Sequence, residues 1–254
     1  MLKRLDLRPR AYAAGLHLLI SAAVAGLAAV LVFGLWYPGP FRLMAGGRDL
    51  FLLVISVDVV IGPLLTFAVF NRAKGKRHLA RDLAVIALLQ IAALIYGLHT
   101  VYIARPVAMV FEVERFRLVT ANDVLVEELP KALPEFRELS LTGPRVIGAR
   151  RPEMGAERND AMFMGVSGID VGQRPIFWQP YAQTQARALE SSKPVAALLK
   201  QYPDSADDTR HRLAEMKADE MTARFLPVMA RQPWVAVLDK TGALLGYLPL
   251  DGFF

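Results

Sequence analysis

Asp58 is the only acid inside the three long apolar stretches of this 254-residue sequence, and a charge there is costly unless paired or solvated. Counted from the outer end of its stretch, it lies roughly 12 Å deep at 1.5 Å per residue. Tyr96 and His99, on a neighbouring stretch that runs the other way, reach the same depth and share a helix face at i, i+3. Three roles suit such a group: a hydrogen bond locking two helices, a docking point for a polar group on another membrane helix, or a proton relay. A single acid among three helices makes a poor transporter. Gly62 and Pro63 follow four residues after Asp58 and predict a kink beside it.

His17 and Gln90 are weaker signals, and His17 lies nearer the inner end of its helix than His99 does. His78 and His211 fall elsewhere. Four scattered histidines, with no H-E-x-x-H and no acids at ligand spacing, give no reason to expect a metal centre. The absence of cysteine removes disulfides, thiolate metal sites and a cysteine nucleophile. No G-x-S-x-G, S-x-x-K, phosphate-binding loop or dinucleotide fingerprint occurs, so neither catalytic residues nor a cofactor site are expected. Glu127-Glu128 and Asp207-Asp208 read as solvated helix-start acids. Met162-Phe163-Met164 and Phe177-Trp178 read as core in preference to an adaptable partner surface.

The elements that must position these groups follow from composition. The chain is 54% hydrophobic and only 21% charged, with a mean hydropathy of +0.32. Residues 1–104 carry a balance of +7 and residues 105–254 a balance of −1. The surplus positive charge thus flanks apolar stretches, which argues for membrane topology and against a nucleic-acid partner.

Three spans are expected, Tyr12–Trp36, Leu50–Phe70 and Leu83–Ala104, each near the 20 residues that a bilayer requires. Lys3, Arg4, Arg8 and Arg10 precede the first, and Arg72, Lys74, Lys76, Arg77 and Arg81 fill the gap before the third. These put the N-terminus and the 71–82 loop in the cytoplasm and residues 105–254 in the periplasm of a bacterial inner membrane. The first span is too long for a signal-peptide core and ends without a small-x-small site, so it is read as a retained helix. Trp36 and Tyr37 are expected to anchor it at the interface, with Pro38-Gly39-Pro40 stopping the helix where water begins.

The fold class expected is therefore a three-helix membrane bundle, residues 1–104, followed by an α+β periplasmic domain, residues 105–254. Within the latter, strands are expected over Val107–Val113 and Phe116–Val119. A short helix is expected from an N-cap at Thr120 to Leu129, ended by Pro130. A strand follows near Arg145–Ala149 and a loop over Arg150–Asp160. Helical pieces run from Tyr181 to Met221, broken at Pro194 and Pro203, with Leu213, Met216 and Met221 forming an apolar face. Trp234–Leu238 and Ala243–Leu248 form a hairpin around Asp239–Gly242, and strands from both ends of the domain share a sheet.

Several segments resemble the type IV pilin accessory proteins of the TfpX/TfpZ type. They are Trp36-Tyr37-Pro38-Gly39-Pro40-Phe41, Gly46-Gly47 and the run from Val57 through Asp58 to Thr66. Arg81–Ile86, Leu89-Gln90, Tyr96-Gly97 and Arg105-Pro106 extend the likeness, which fades beyond Phe111-Glu112-Val113. The resemblance implies an inner-membrane, non-enzymatic protein that binds a type IV pilin and stabilises or presents it for pilus assembly. The alternative is a membrane-anchored sensor with a ligand-binding periplasmic domain, against which stand cytoplasmic segments of only about ten residues.

Overall fold

The computed structural model describes residues 7–71 and 75–254; Lys3, Arg4, Arg72 and Lys74, on which part of the topological reading rests, lie outside them. The chain divides into two compact units. One comprises the chain up to Trp36 together with Gly47–Ile103, and the other Tyr37–Gly46 together with Ala104–Phe254.

The first unit holds three helices, α1 (Leu7–Trp36), α3 (Gly47–Val69) and α4 (Lys76–Ile103), each long and apolar enough to cross a membrane. They are the three expected spans, lengthened at their starts because Arg, Lys and Leu are good helix formers that let the backbone ladder continue beyond the apolar run. Their outer faces are greasy: Leu27, Val30, Leu53 and Leu88 are all exposed. Water does not stabilise such a surface and lipid does. In place of a simple kink, α3 widens into a π turn over Val57–Ile61 before resuming at Gly62. Pro63 explains the widening, since it has no N–H to donate and its ring crowds the carbonyl four residues back.

The second unit is α+β. Its sheet is mixed, in the order β4-β3-β1-β2-β6-β7-β8, with β5 paired to β6. The strands are β1 (Pro106–Glu112), β2 (Arg115–Thr120), β3 (Arg145–Ala149), β4 (Trp178–Pro180), β5 (Lys193–Pro194), β6 (Arg224–Met229), β7 (Trp234–Leu238) and β8 (Leu244–Leu248). Every residue of β1 is buried, so both sheet faces are covered there. Met109 and Phe111 pack in one core cluster, while Ala108 and Val110 pack in another. Strands β7 and β8 form the expected hairpin, and β2 returns antiparallel to β1 as a second one.

Strand β6, which joins them, is not evident in the sequence because Pro227 interrupts it. One edge of β6 is shared. β5 pairs with Arg224 and Phe225, and β2 with Val228 and Met229. Pro227 falls in the gap, where no N–H is required.

Three local expectations are corrected. Thr120 does not cap an α-helix; it ends β2, and its N–H and Oγ1 both donate to Asp123. Only a six-residue 3-10 helix follows, Val126–Lys131, with Pro130 inside it. The expected loop over Arg150–Asp160 contains the start of an eleven-residue helix, α5 (Ala156–Val166), entered through Gly155 at φ +100°. Helices α6 (Gln185–Ser191), α7 (Val195–Gln201) and α8 (Ala206–Glu215) are then separated at Pro194 and Pro203 as read. Leu213 is buried, but Met221 lies beyond α8 and is 89% exposed.

The segment Tyr37–Gly46 belongs to the second unit, although it joins two helices of the first. It carries a single turn of helix, α2 (Phe41–Met44), and Tyr37 and Met44 are completely buried. Phe41 meets Tyr247 edge to face at 5.4 Å. Met44 lies in the same cluster as Met109, Phe111 and Trp234.

Candidate functional site

Polar side chains converge near the middle of the first unit, yet not as the depth arithmetic predicted. Asp58 is buried at 8% exposure, whereas Tyr96 is 74% exposed and His99 is exposed on α4, so the structure does not bring the three together. The physical reason lies in α4, which turns Gln90 and Gly97 toward α3 and leaves Tyr96 and His99 on its outer side.

The groups that do meet are the two weaker signals. Gln90 Nε2 on α4 donates to the main-chain carbonyl of Asp58 at 3.1 Å. His17 Nδ1 on α1 lies 2.5 Å from Thr66 Oγ1 on α3. Each contact ties α3 to a neighbouring helix, and hydrogen bonds of this kind hold helices together where no water competes. Gly62 permits the first of them, since a β-carbon there would overlap the Gln90 amide. Pro63 beside it is buried. A mid-helix amide and imidazole in otherwise apolar stretches are the signal by which the sequence marks these contacts.

A groove of about 280 Å³ lies among the three helices, lined by His17, Ser21, Ala25, Asp58, Ala87 and Gln90 together with aliphatic side chains. Asp58 Oδ1 has no hydrogen-bond partner among the described residues. Chemically, the groove offers one buried acceptor among walls that combine aliphatic side chains with His17, Ser21 and Gln90.

Trp36 and Tyr37 separate. Trp36 is half-buried against Tyr102, with ring centroids 5.1 Å apart. Tyr37 is fully enclosed in the second unit, and burial pushes its phenol above the ordinary tyrosine pKa. It is therefore a core residue of that unit and not an aromatic displayed on a helix surface.

Several charged residues of the second unit pair with one another. Glu112, 1% exposed in its side chain, accepts from Arg115 Nε at 3.1 Å and Arg117 Nε at 2.8 Å. It also accepts from the Gly172 N–H at 2.8 Å. Glu128, expected on the surface, is buried; Arg174 donates to it at 2.5 and 2.9 Å and to Asp160 at 2.7 Å. The Arg150 and Arg174 guanidinium groups both lie over the buried Phe177 ring. These networks fix loops onto the sheet. Asp207 and Asp208 do stay solvated, each pairing with an arginine on its own helix.

Phe177 and Trp178 are core, but Met162 and Phe163 are exposed on α5, as are Met154 and Val166. Among the described residues, no three His, Asp or Glu side chains are placed to hold a metal ion.

Comparison with known proteins adds the remaining information. The profile of the family described as fimbrial assembly protein FimB matches residues 5–46. Two fimbrial assembly proteins of Dichelobacter nodosus are similar across nearly the whole chain. The serogroup I protein is 35% identical, with 94% of each chain covered, and the serogroup E1 protein 34% identical with the same coverage. A protein of serogroups C1 and C2 is 43% identical over 46% of this chain and 90% of its own length. No solved structure matches.

Proposed function

Because this chain belongs to the fimbrial assembly proteins, we propose that it assists pilus assembly by binding a type IV pilin in the membrane and stabilising or presenting it. The observation that carries this reading is similarity over 94% of both lengths, which takes in the apolar helices and the α+β unit alike. In this reading the chain is an accessory protein of the TfpX/TfpZ type and acts by binding, as a chaperone does, not by catalysis.

The three apolar helices support a seat in the bacterial inner membrane. Lys and Arg are dense before α1 and around the start of α4, and sparse between α1 and α3. That asymmetry supports a cytoplasmic N-terminus and a periplasmic second unit. The segment Tyr37–Gly46 then lies outside with the rest of its unit. Membrane subunits awaiting assembly would meet both an apolar helix bundle and a folded domain on the side where the pilus grows.

Co-purification tests the reading. The tagged full-length protein, extracted in mild detergent from fimbriated cells, should retain the pilin at a near-stoichiometric ratio. Recovery of the protein free of pilin, under conditions that keep it folded, would contradict the proposal.

A further inference from the structure

We propose that the groove around Asp58 seats one apolar helix of the fimbrial subunit, which places a hydrogen-bond donor opposite Asp58 Oδ1 in the middle of the bilayer. The inference rests on the binding role proposed above and specifies where and how the subunit is held.

Asp58 sits near the middle of the 23-residue helix Gly47–Val69. That is about 16 Å from either end at 1.5 Å per residue, the centre of a hydrocarbon layer about 30 Å thick. Its side chain is more than nine-tenths buried, and Oδ1 has no partner among the described residues. An unpaired acceptor at that depth carries a standing free-energy cost that a donor would remove. Lipid headgroups do not reach the bilayer centre, and acyl chains have no donor to give. A polar group is carried to that depth by a protein segment whose backbone is already satisfied, which means a helix.

The walls suit a helix. Ser21 and Ala25 lie at i, i+4 on α1 and Ala87 faces the same groove from α4. Small residues at this spacing let helix backbones approach closely in lipid. The bundle's own contacts leave the seat free. Gln90 uses the main-chain carbonyl of Asp58, and His17 uses Thr66. Oδ1 itself is left without a partner among the described residues. The π turn that carries Asp58 belongs to the class of helix irregularity often found at functional positions.

A photoactivatable benzophenone amino acid at Ile91, which lines the groove and is 56% exposed, tests this in intact membranes. The same probe at Leu88, exposed and outside the groove, is the control. Illumination should yield an adduct with the fimbrial subunit from position 91 and not from position 88. Asp58→Leu should weaken the adduct about three- to tenfold at unchanged protein abundance, the loss expected for one interhelical hydrogen bond in lipid. Ala25→Phe fills the groove while leaving residue 58 unchanged and should abolish it, which decides the matter should Asp58→Leu lower abundance. An adduct with lipid alone, or a subunit adduct indifferent to both substitutions, would overturn the inference. If the subunit co-purifies but position 91 gives no adduct, the seat is wrong and the binding role stands. If neither occurs, the binding role fails as well.

Discussion

Met44→Ala should destabilise the second unit, although in sequence the residue sits between two membrane-length helices. Its side chain is completely buried with Met109, Phe111, Leu226 and Trp234. Truncating a buried methionine to alanine costs about 2–5 kcal/mol, depending on how far the site collapses. Here β1 is buried along its whole length and resists collapse, while neighbouring Met109 is flexible enough to fill part of the space. A value of about 3 kcal/mol follows. Amide hydrogen exchange of the full-length protein in detergent reads this directly at Val235, Ala236 and Val237, which lie between β6 and β8. Where exchange requires opening of the whole unit, it should quicken by about 100-fold. Met154→Ala, at 81% exposure, should change stability by less than about 0.5 kcal/mol. If Met44→Ala left exchange in β7 at the wild-type rate, Tyr37–Gly46 would not be part of that core, and the division of the chain described above would be wrong.

Two further outcomes follow from the structure. Alkaline phosphatase fused after residue 252 should be active and after residue 75 nearly inactive; the opposite pattern would refute a cytoplasmic N-terminus and a periplasmic second unit. Hydrogen bonds from Arg150, then from the Glu153 N–H, lower the Glu157 pKa from 4.5 to about 2. Because the folded-state value is depressed, the stabilisation is present above about pH 4.5 and lost as pH falls toward 2. Glu157→Gln should therefore cost about 1 kcal/mol at pH 7, given a bidentate but partly exposed pair, and almost nothing near pH 2; a difference in melting temperature that does not shrink on acidification would refute this.

The sequence makes the long helices and hairpins legible because their signals are local. Apolar runs such as Leu83–Ala104 reach the length that a bilayer requires, and Trp234–Leu238 and Ala243–Leu248 are apolar runs on either side of an Asp/Gly turn. What it hides is set by contacts across the chain. Tyr37 reads as the rim of a span, and nothing near Phe41 or Met44 reveals that Trp234 and Tyr247, some two hundred residues on, complete their packing. Glu128 reads as surface because its partner Arg174 is remote in sequence. Helix α5 is obscured by its charged start, where Glu157 and Asp160 are engaged by Arg150 and Arg174. At the candidate site, Asp58 and the Gly62-Pro63 break are plain in the sequence, but the pairing is not. Depth arithmetic sets height along a helix but not facing, and α4 turns Gln90, not Tyr96 or His99, toward Asp58.

The central claim, that this protein sustains the pilin before assembly, is tested most directly by the pilin's lifetime in the membrane. Pulse–chase labelling in cells lacking the protein should show the membrane-held subunit disappearing several-fold faster at unchanged transcript level. Wild-type protein should restore its lifetime, and the Ala25→Phe variant should not. A subunit lifetime that is the same with and without the protein would contradict the account.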